Sequence, residues 1–276
     1  MKSKYMALAF VLSLLLPLSA LSTTSYFPLA NSQPENEELP VLLIHGYASE
    51  PSVWKNWESL LKADNITFKA VEFKDYNETW WVNEDGCGSA ADHARELNDI
   101  VKEFRNNTKT EKINIVAHSK GGLDARVYLH NNPSSTDVEN LIMIGTPNLG
   151  SPLAYLNELC SPAIFDLRPG SDATKATINK NTNYYTIAGS WTPSSASTVD
   201  HNCSPSKQYL LDFQRGGYFA LNSIPINPIP NDGIVPVLSV HSIGTFNNLG
   251  NTDNCHTDLL GGEEYVKSRG LLLGVE

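Results

Sequence analysis

Basic charge is scarce in this chain. Its 276 residues carry 20 Lys and Arg against 30 Asp and Glu, a formal net charge of −10, and the basic residues are scattered along it. A nucleic-acid partner calls for a clustered basic face, so none is expected. No period of 20–50 residues repeats, which excludes solenoids and propellers. No stretch has the charge density and poverty of aromatics of a disordered tail. The four cysteines, Cys87, Cys160, Cys203 and Cys255, include no C-x-x-C spacing, which argues against structural zinc.

Only one long apolar run is present, and it lies at the N-terminus. Lys2 and Lys4 precede Met6–Leu21, which Pro17 interrupts, and Ala20-Leu21-Ser22 has the form of a small-x-small cleavage site. The run is roughly 16 residues, short of the ~20 needed to span a bilayer. This layout predicts a secretory signal peptide over residues 1–22; an uncleaved anchor is the alternative, and no following Cys suggests a lipid anchor. The expected product is a secreted protein without stable membrane insertion, and a monomer. An even cysteine count in an oxidising compartment predicts two disulfides, with three pairings open. Asn65, Asn77, Asn106 and Asn202 begin N-x-S/T triplets, to which no function is attached.

Residues 23–38, rich in Ser, Asn, Pro and Glu, read as a mobile leader to a single domain over 39–276. That domain opens with Leu39–Ile44, a continuous apolar run suited to a strand buried on both faces. Helical spacing follows near 52–62, a strand at 67–73, and an amphipathic helix over 90–106. Further strands are predicted at 113–117, 141–144 and 184–188, with helices at 122–130 and 263–273. Alternating strands and helices predict an α/β fold with a mostly parallel sheet covered on both faces. Two irregular stretches, 148–182 and 190–231, interrupt the pattern. Inserts of that length are expected to serve as a cap or pocket wall. Leu149, Leu153, Tyr155, Leu156, Ile164, Phe165 and Trp191 are their candidate apolar contacts.

The strongest chemical signal is Ile113-Asn-Ile-Val-Ala-His-Ser-Lys-Gly-Gly122. A buried strand runs into Ala117-x-Ser119-x-Gly121 and then into a helix. Small residues two before and two after Ser119 permit a sharp turn that lifts the hydroxyl above the sheet edge. A serine needs a base, and the base needs an orienting carboxylate. In the order Ser, acid, His that this arrangement follows, His45, His93, His118 and His130 fall too early. His201 precedes the best acid, Asp232, which sits in the turn Asn231-Asp-Gly233. His241 is too close to Asp232 for an intervening strand and turn, whereas His256 leaves room for both. The predicted catalytic set is Ser119, Asp232 and His256, with Asp200, Asp212 or Asp253 as alternative acids. The backbone N–H groups of Lys120 and Tyr47 are the expected oxyanion donors, Gly46 allowing close approach. Cys203–Cys255 is the favoured disulfide, because it would tie the second insert to the loop holding His256; Cys87–Cys160 follows by elimination.

Val41–Tyr47, Val116–Arg126, Ile144–Ser151 and Asn231–Val235 together resemble the bacterial true-lipase and small-lipase families. The resemblance covers about 40–151 and, more thinly, 184–189 and 231–262. It implies an α/β-hydrolase acting on acyl esters, with Asp232 and His256 as acid and base. The chain departs from the families at Asn148, where His is usual, and at Lys120, where Gln or Met is usual; 152–230 matches neither. The larger lipases hold a calcium ion near the catalytic histidine, so Asp258 and Asp212 are candidate ligands; no other cofactor is expected. The leading expectation is therefore a lipase or esterase that forms an acyl-enzyme on Ser119. Cutin-like or synthetic polyesters are alternative substrates. A non-catalytic binding protein on the same fold is the alternative of another class.

Overall fold

The computed structural model describes residues 38–74, 87–156, 161–194, 202–204, 208–223, 229–241 and 246–275. The proposed signal peptide and leader, except Glu38, lie outside them. Six strands form one sheet: β1 (Val41–Ile44), β2 (Phe68–Ala70), β3 (Ile113–His118), β4 (Val138–Ile144), β5 (Asn183–Gly189) and β6 (Asn247–Thr252). Their order is β2-β1-β3-β4-β5-β6 and every pairing is parallel. This is the mostly parallel α/β sheet that the apolar runs predicted.

Because successive strand residues point to opposite faces, each central strand feeds two cores. Leu42, Ile44, Ile113, Ile115, Ala117, Leu141 and Met143 meet helix α2 (Ala90–Thr108) and α3 (Lys120–Asn131) through Leu97, Val101, Phe104, Tyr128 and Leu129. Val41, Leu43, Val116, Ile142 and Ile144 meet α1 (Lys55–Ala63) and α7 (Gly262–Leu272) through Trp57, Leu61, Tyr265 and Leu272. Burial on both faces is why these strands read as unbroken apolar runs rather than alternating ones. Helix α2 begins where the Ser89 side chain accepts the Asp92 N–H at 3.1 Å, satisfying one N–H that the helix itself leaves without a partner.

The inserts hold more regular structure than their sequence predicted. The first contains a short helix, α4 (Ser161–Asp166). The second contains α5 (Gln208–Leu221), a 14-residue helix in a stretch expected to be irregular. Its Gly216-Gly217 pair and exposed Tyr209, Phe213 and Phe219 blur the apolar stripe that normally marks a helix. A further short helix, α6 (Val237–His241), and β6 follow. The sequence of β6, Asn-Asn-Leu-Gly-Asn-Thr, is polar because it forms an exposed sheet edge. Among the described residues no helix is long and apolar enough to cross a membrane.

The tightest junction lies where α3 starts. A Cβ on Gly121 would sit 2.3 Å from the His45 carbonyl oxygen and 2.7 Å from that of Ile44, so only glycine lets α3 press against the end of β1. Gly121→Ala should cost about 3 kcal/mol or more, because both neighbours are backbone and cannot step aside. Thermal melts of the purified variant test this, and a wild-type melt would contradict the packing described.

Candidate active site

Ser119 links β3 to α3. Its backbone has φ 53° and ψ −127°, a conformation that costs a non-glycine residue on the order of 1–3 kcal/mol. Three contacts hold it there. The Ser119 N–H donates to the Ile144 carbonyl at 2.9 Å and its carbonyl accepts the Gly122 N–H at 3.1 Å. On the other side, a Cβ at Gly46 would lie 2.8 Å from Ser119 Cβ and 3.3 Å from its Oγ. The loop after β1 therefore lies directly against the serine, and its next residue is Tyr47. Lys120 occupies the first position of α3, where the helix offers its N–H no acceptor. The two residues proposed as oxyanion donors thus follow directly on Gly46 and on Ser119 in the chain.

The structure brings the other two predicted residues to the same point. His256 Nε2 lies 2.9 Å from Ser119 Oγ, and its Nδ1 lies 2.7 Å from Asp232 Oδ2. A carboxylate only accepts, so Nδ1 carries the proton and Nε2 is free to take one from the serine. Asp232 is wholly buried, and its other oxygen accepts the N–H groups of Ile234 (2.9 Å) and Val235 (2.7 Å). Those donors directly follow the turn predicted at Asn231–Gly233. Of the alternative acids, Asp212 bonds Gln208 within α5, His256 is engaged by Asp232 rather than Asp253, and Asp200 lies outside the described residues. His130 and His241 bond Thr177 and Thr186, respectively, and His201 is outside the description.

The loop carrying His256 is anchored by the disulfide that the sequence favoured and by two residues, Gln214 and Glu264, that sequence reasoning did not select. Cys203 and Cys255 form a disulfide with Cα atoms 5.1 Å apart. Cys87 is also disulfide-bonded, and Cys160 lies outside the described residues. Buried Gln214 on α5 accepts the Thr257 N–H at 3.1 Å and donates to its hydroxyl at 3.0 Å. Glu264 accepts from Thr252 Oγ1 at 2.7 Å and Asn254 Nδ2 at 2.8 Å, and burial pushes its carboxyl up from the usual range. Nothing in a single sequence marks Gln214 or Glu264, since each meets its partners only through the tertiary fold.

Among the described residues the two calcium candidates, Asp258 and Asp212, are each engaged by other partners. Asp258 already accepts the Ser204 N–H at 2.6 Å and the Thr257 hydroxyl at 3.3 Å. Asp212 is held by Gln208, and among the described residues no group of three His, Cys, Asp or Glu gathers around either.

A buried charge cluster lies behind the serine. The Lys120 side chain turns inward, fully buried, and its Nζ donates to Asp124 Oδ1 at 2.6 Å while lying 3.2 Å from His93 Nδ1. His93 Nδ1 is in turn 2.8 Å from Asp124 Oδ2, and its ring stacks on Phe73 at 3.8 Å. Burial alone would raise the Asp124 carboxyl; the Lys120 ammonium and His93 outweigh it and hold the group below its usual range. The departure at Lys120 is thus matched by partners on α2 and α3. Asn148, the other departure, is also buried: it accepts from the Arg126 guanidinium at 3.1 Å and donates to the Val240 carbonyl at 2.8 Å. Arg126 donates on to Thr174 and Ala176, so α3 and the first insert are stitched together.

A family model for palmitoyl protein thioesterases matches residues 40–204. The chain belongs to the palmitoyl protein thioesterase family. That makes this thioesterase-family protein an ester hydrolase of the α/β-hydrolase class. The matched span includes Ser119, the Gly46 loop and the first insert, and ends before Asp232 and His256. Among solved structures, it is similar to the Bacillus licheniformis lipase BlEst2 in its mature form. The TM-score is 0.65 at 21% identity, over 87% of this chain and 94% of the lipase. The propeptide form of that lipase gives 0.66 at 21% identity, over 88% and 52%. Phospholipase PlaB from Legionella pneumophila gives 0.50 at 17% identity, over 73% and 44%. At these identities the likeness is one of fold.

The charge cluster makes a measurable claim. Asp124→Asn would leave the Lys120 ammonium buried against a neutral amide and should cost about 3–5 kcal/mol. The double variant Lys120→Met, Asp124→Leu removes both charges and should recover most of that loss. Urea denaturation of the set checks it; equal stability of Asp124→Asn and the parent would show the pair is not held as described.

Proposed function

We propose that this protein is a secreted serine hydrolase that cleaves fatty acyl esters or thioesters through an acyl-enzyme on Ser119. The observation that carries the reading is the chain of short contacts from Ser119 Oγ through His256 to buried Asp232. In the proposed sequence, His256 Nε2 takes the Ser119 proton as Oγ attacks the acyl carbon, and Asp232 stabilises the imidazolium that forms. The N–H groups of Lys120 and Tyr47 stabilise the developing oxyanion. His256 then returns the proton to the departing alcohol or thiol, and water attack with the same base frees the acid. The signal-peptide layout of residues 1–22 supports secretion.

The candidate surface for the acyl chain is an apolar cavity whose lining does not itself include Ser119, Asp232 or His256. A cavity of about 350 Å³, lined by Leu149, Leu153, Leu156, Leu221, Ile229 and Leu238 among others, opens between the first insert, α5 and the segment after Asp232. Three of the candidate wall residues, Leu149, Leu153 and Leu156, face it. Ile164 and Trp191 instead pack into small separate cores, and Phe165 and Tyr155 flank the Arg168 guanidinium. The wall is anchored: Ser151 Oγ donates to the Ile234 carbonyl at 2.6 Å, and α5 is tied to the His256 loop by Gln214. A fixed wall around one apolar groove favours a single acyl chain over a polymer surface.

Ser119→Ala should abolish turnover of both p-nitrophenyl esters and acyl thioesters while leaving the circular dichroism and Tm close to those of the parent. For the parent, activity should rise with chain length and climb smoothly through each substrate's solubility limit. Substantial activity in folded Ser119→Ala would remove the mechanism, and a jump at the solubility limit would show that the wall moves.

A further inference from the structure

His118 immediately precedes the serine and was set aside as a base because it falls before the acid in the chain. Its side chain has another role in the structure. Its Nε2 lies 3.0 Å from the backbone carbonyl oxygen of His256, 138 residues away, and the two rings sit 4.8 Å apart with a 41° tilt. A carbonyl only accepts, so His118 Nε2 carries the proton and donates it. The His256 N–H donates to the Asp232 carbonyl at 2.9 Å. The base is therefore held at its backbone N–H, its backbone carbonyl and both ring nitrogens.

We propose that His118 is a positioning residue that acts through His256: two adjacent residues, His118 and Ser119, grip the base by its backbone and by its ring. Any shift of the His256 loop away from the serine must break both contacts, so the 2.9 Å separation between Nε2 and Oγ is fixed from two directions. This rests on Ser119 and His256 being nucleophile and base. The electrostatics are compatible with the role. Burial, together with neighbouring His256 and His45, lowers the His118 pKa to about 3. The ring next to His256 therefore stays neutral at ordinary pH, and no fixed positive charge opposes the imidazolium that forms during turnover.

Three single variants test the proposal: His118→Leu, His118→Gln and His118→Asn. Leu keeps apolar bulk without a donor, Gln places an amide nitrogen near the position of Nε2, and Asn falls short by one methylene. Misplacing the base should lower kcat about 10- to 100-fold in the Leu and Asn variants, with KM within about twofold of the parent. Gln should recover most of the loss. Rates are compared per folded enzyme, using near-UV circular dichroism and Tm; if the Leu variant does not fold, Asn against Gln decides. Parent-level kcat in folded Leu or Asn, or Gln no better than Asn, overturns the proposal. Ser119→Ala is run alongside: activity surviving there would mean that the nucleophile assignment had failed, a result separable from failure of the His118 contact.

Discussion

The arrangement at the sheet edge depends on one backbone conformation, the positive φ of Ser119. A non-glycine residue adopts it only when its surroundings leave no alternative, and here they are crowded. Gly46 lies against the serine from the loop after β1, Gly121 lets α3 press on the end of β1, and the Ile144 carbonyl holds the Ser119 N–H. The strain turns the hydroxyl out of the sheet toward His256. It also places the Lys120 N–H at the unpartnered start of a helix, where a negative charge is favoured. Without the elbow the same residues would form an ordinary strand-to-helix connection.

Around that turn the chain places charge inside the protein in two different ways. Asp232 is buried but has three donors, two backbone N–H groups and the His256 ring, so both of its oxygens are satisfied and the imidazole is held in one orientation. Lys120 and Asp124 form a second buried pair that no substrate can reach. Buried ion pairs add little net stability over apolar residues but tolerate no loss of one partner. This cluster therefore fixes how α2 and α3 meet behind the serine. Arg126 does the same for the first insert by spending its donors on Asn148, Thr174 and Ala176.

Much of this was legible in the sequence wherever the signal was local or periodic. The apolar runs located every strand except β6, whose edge position makes it polar. The small residues flanking Ser119 and the Asn-Asp-Gly turn identified two of the three residues that the structure brings together, and chain order selected His256. Non-local features were not legible. Helix α5 hides behind a glycine pair and exposed aromatics, Gln214 and Glu264 reach their partners only across the fold, and Trp191 belongs to a core formed around a disulfide rather than to the groove. Position in the chain pointed to His256 rather than His118, and it is His256 that lies beside Ser119 Oγ. It gave no sign of the contact with His256, because hydrogen bonds between distant residues leave no periodic trace.

The central claim is that Ser119 is the nucleophile of this ester hydrolase, and covalent trapping tests it most directly. An alkyl fluorophosphonate mimics the tetrahedral intermediate and reacts with an activated serine. One equivalent should inactivate the enzyme in step with labelling, and mass spectrometry should place a single adduct on the tryptic peptide Ile113–Lys120, at Ser119. Full activity after stoichiometric labelling, or inactivation with the adduct on another residue, would contradict the account.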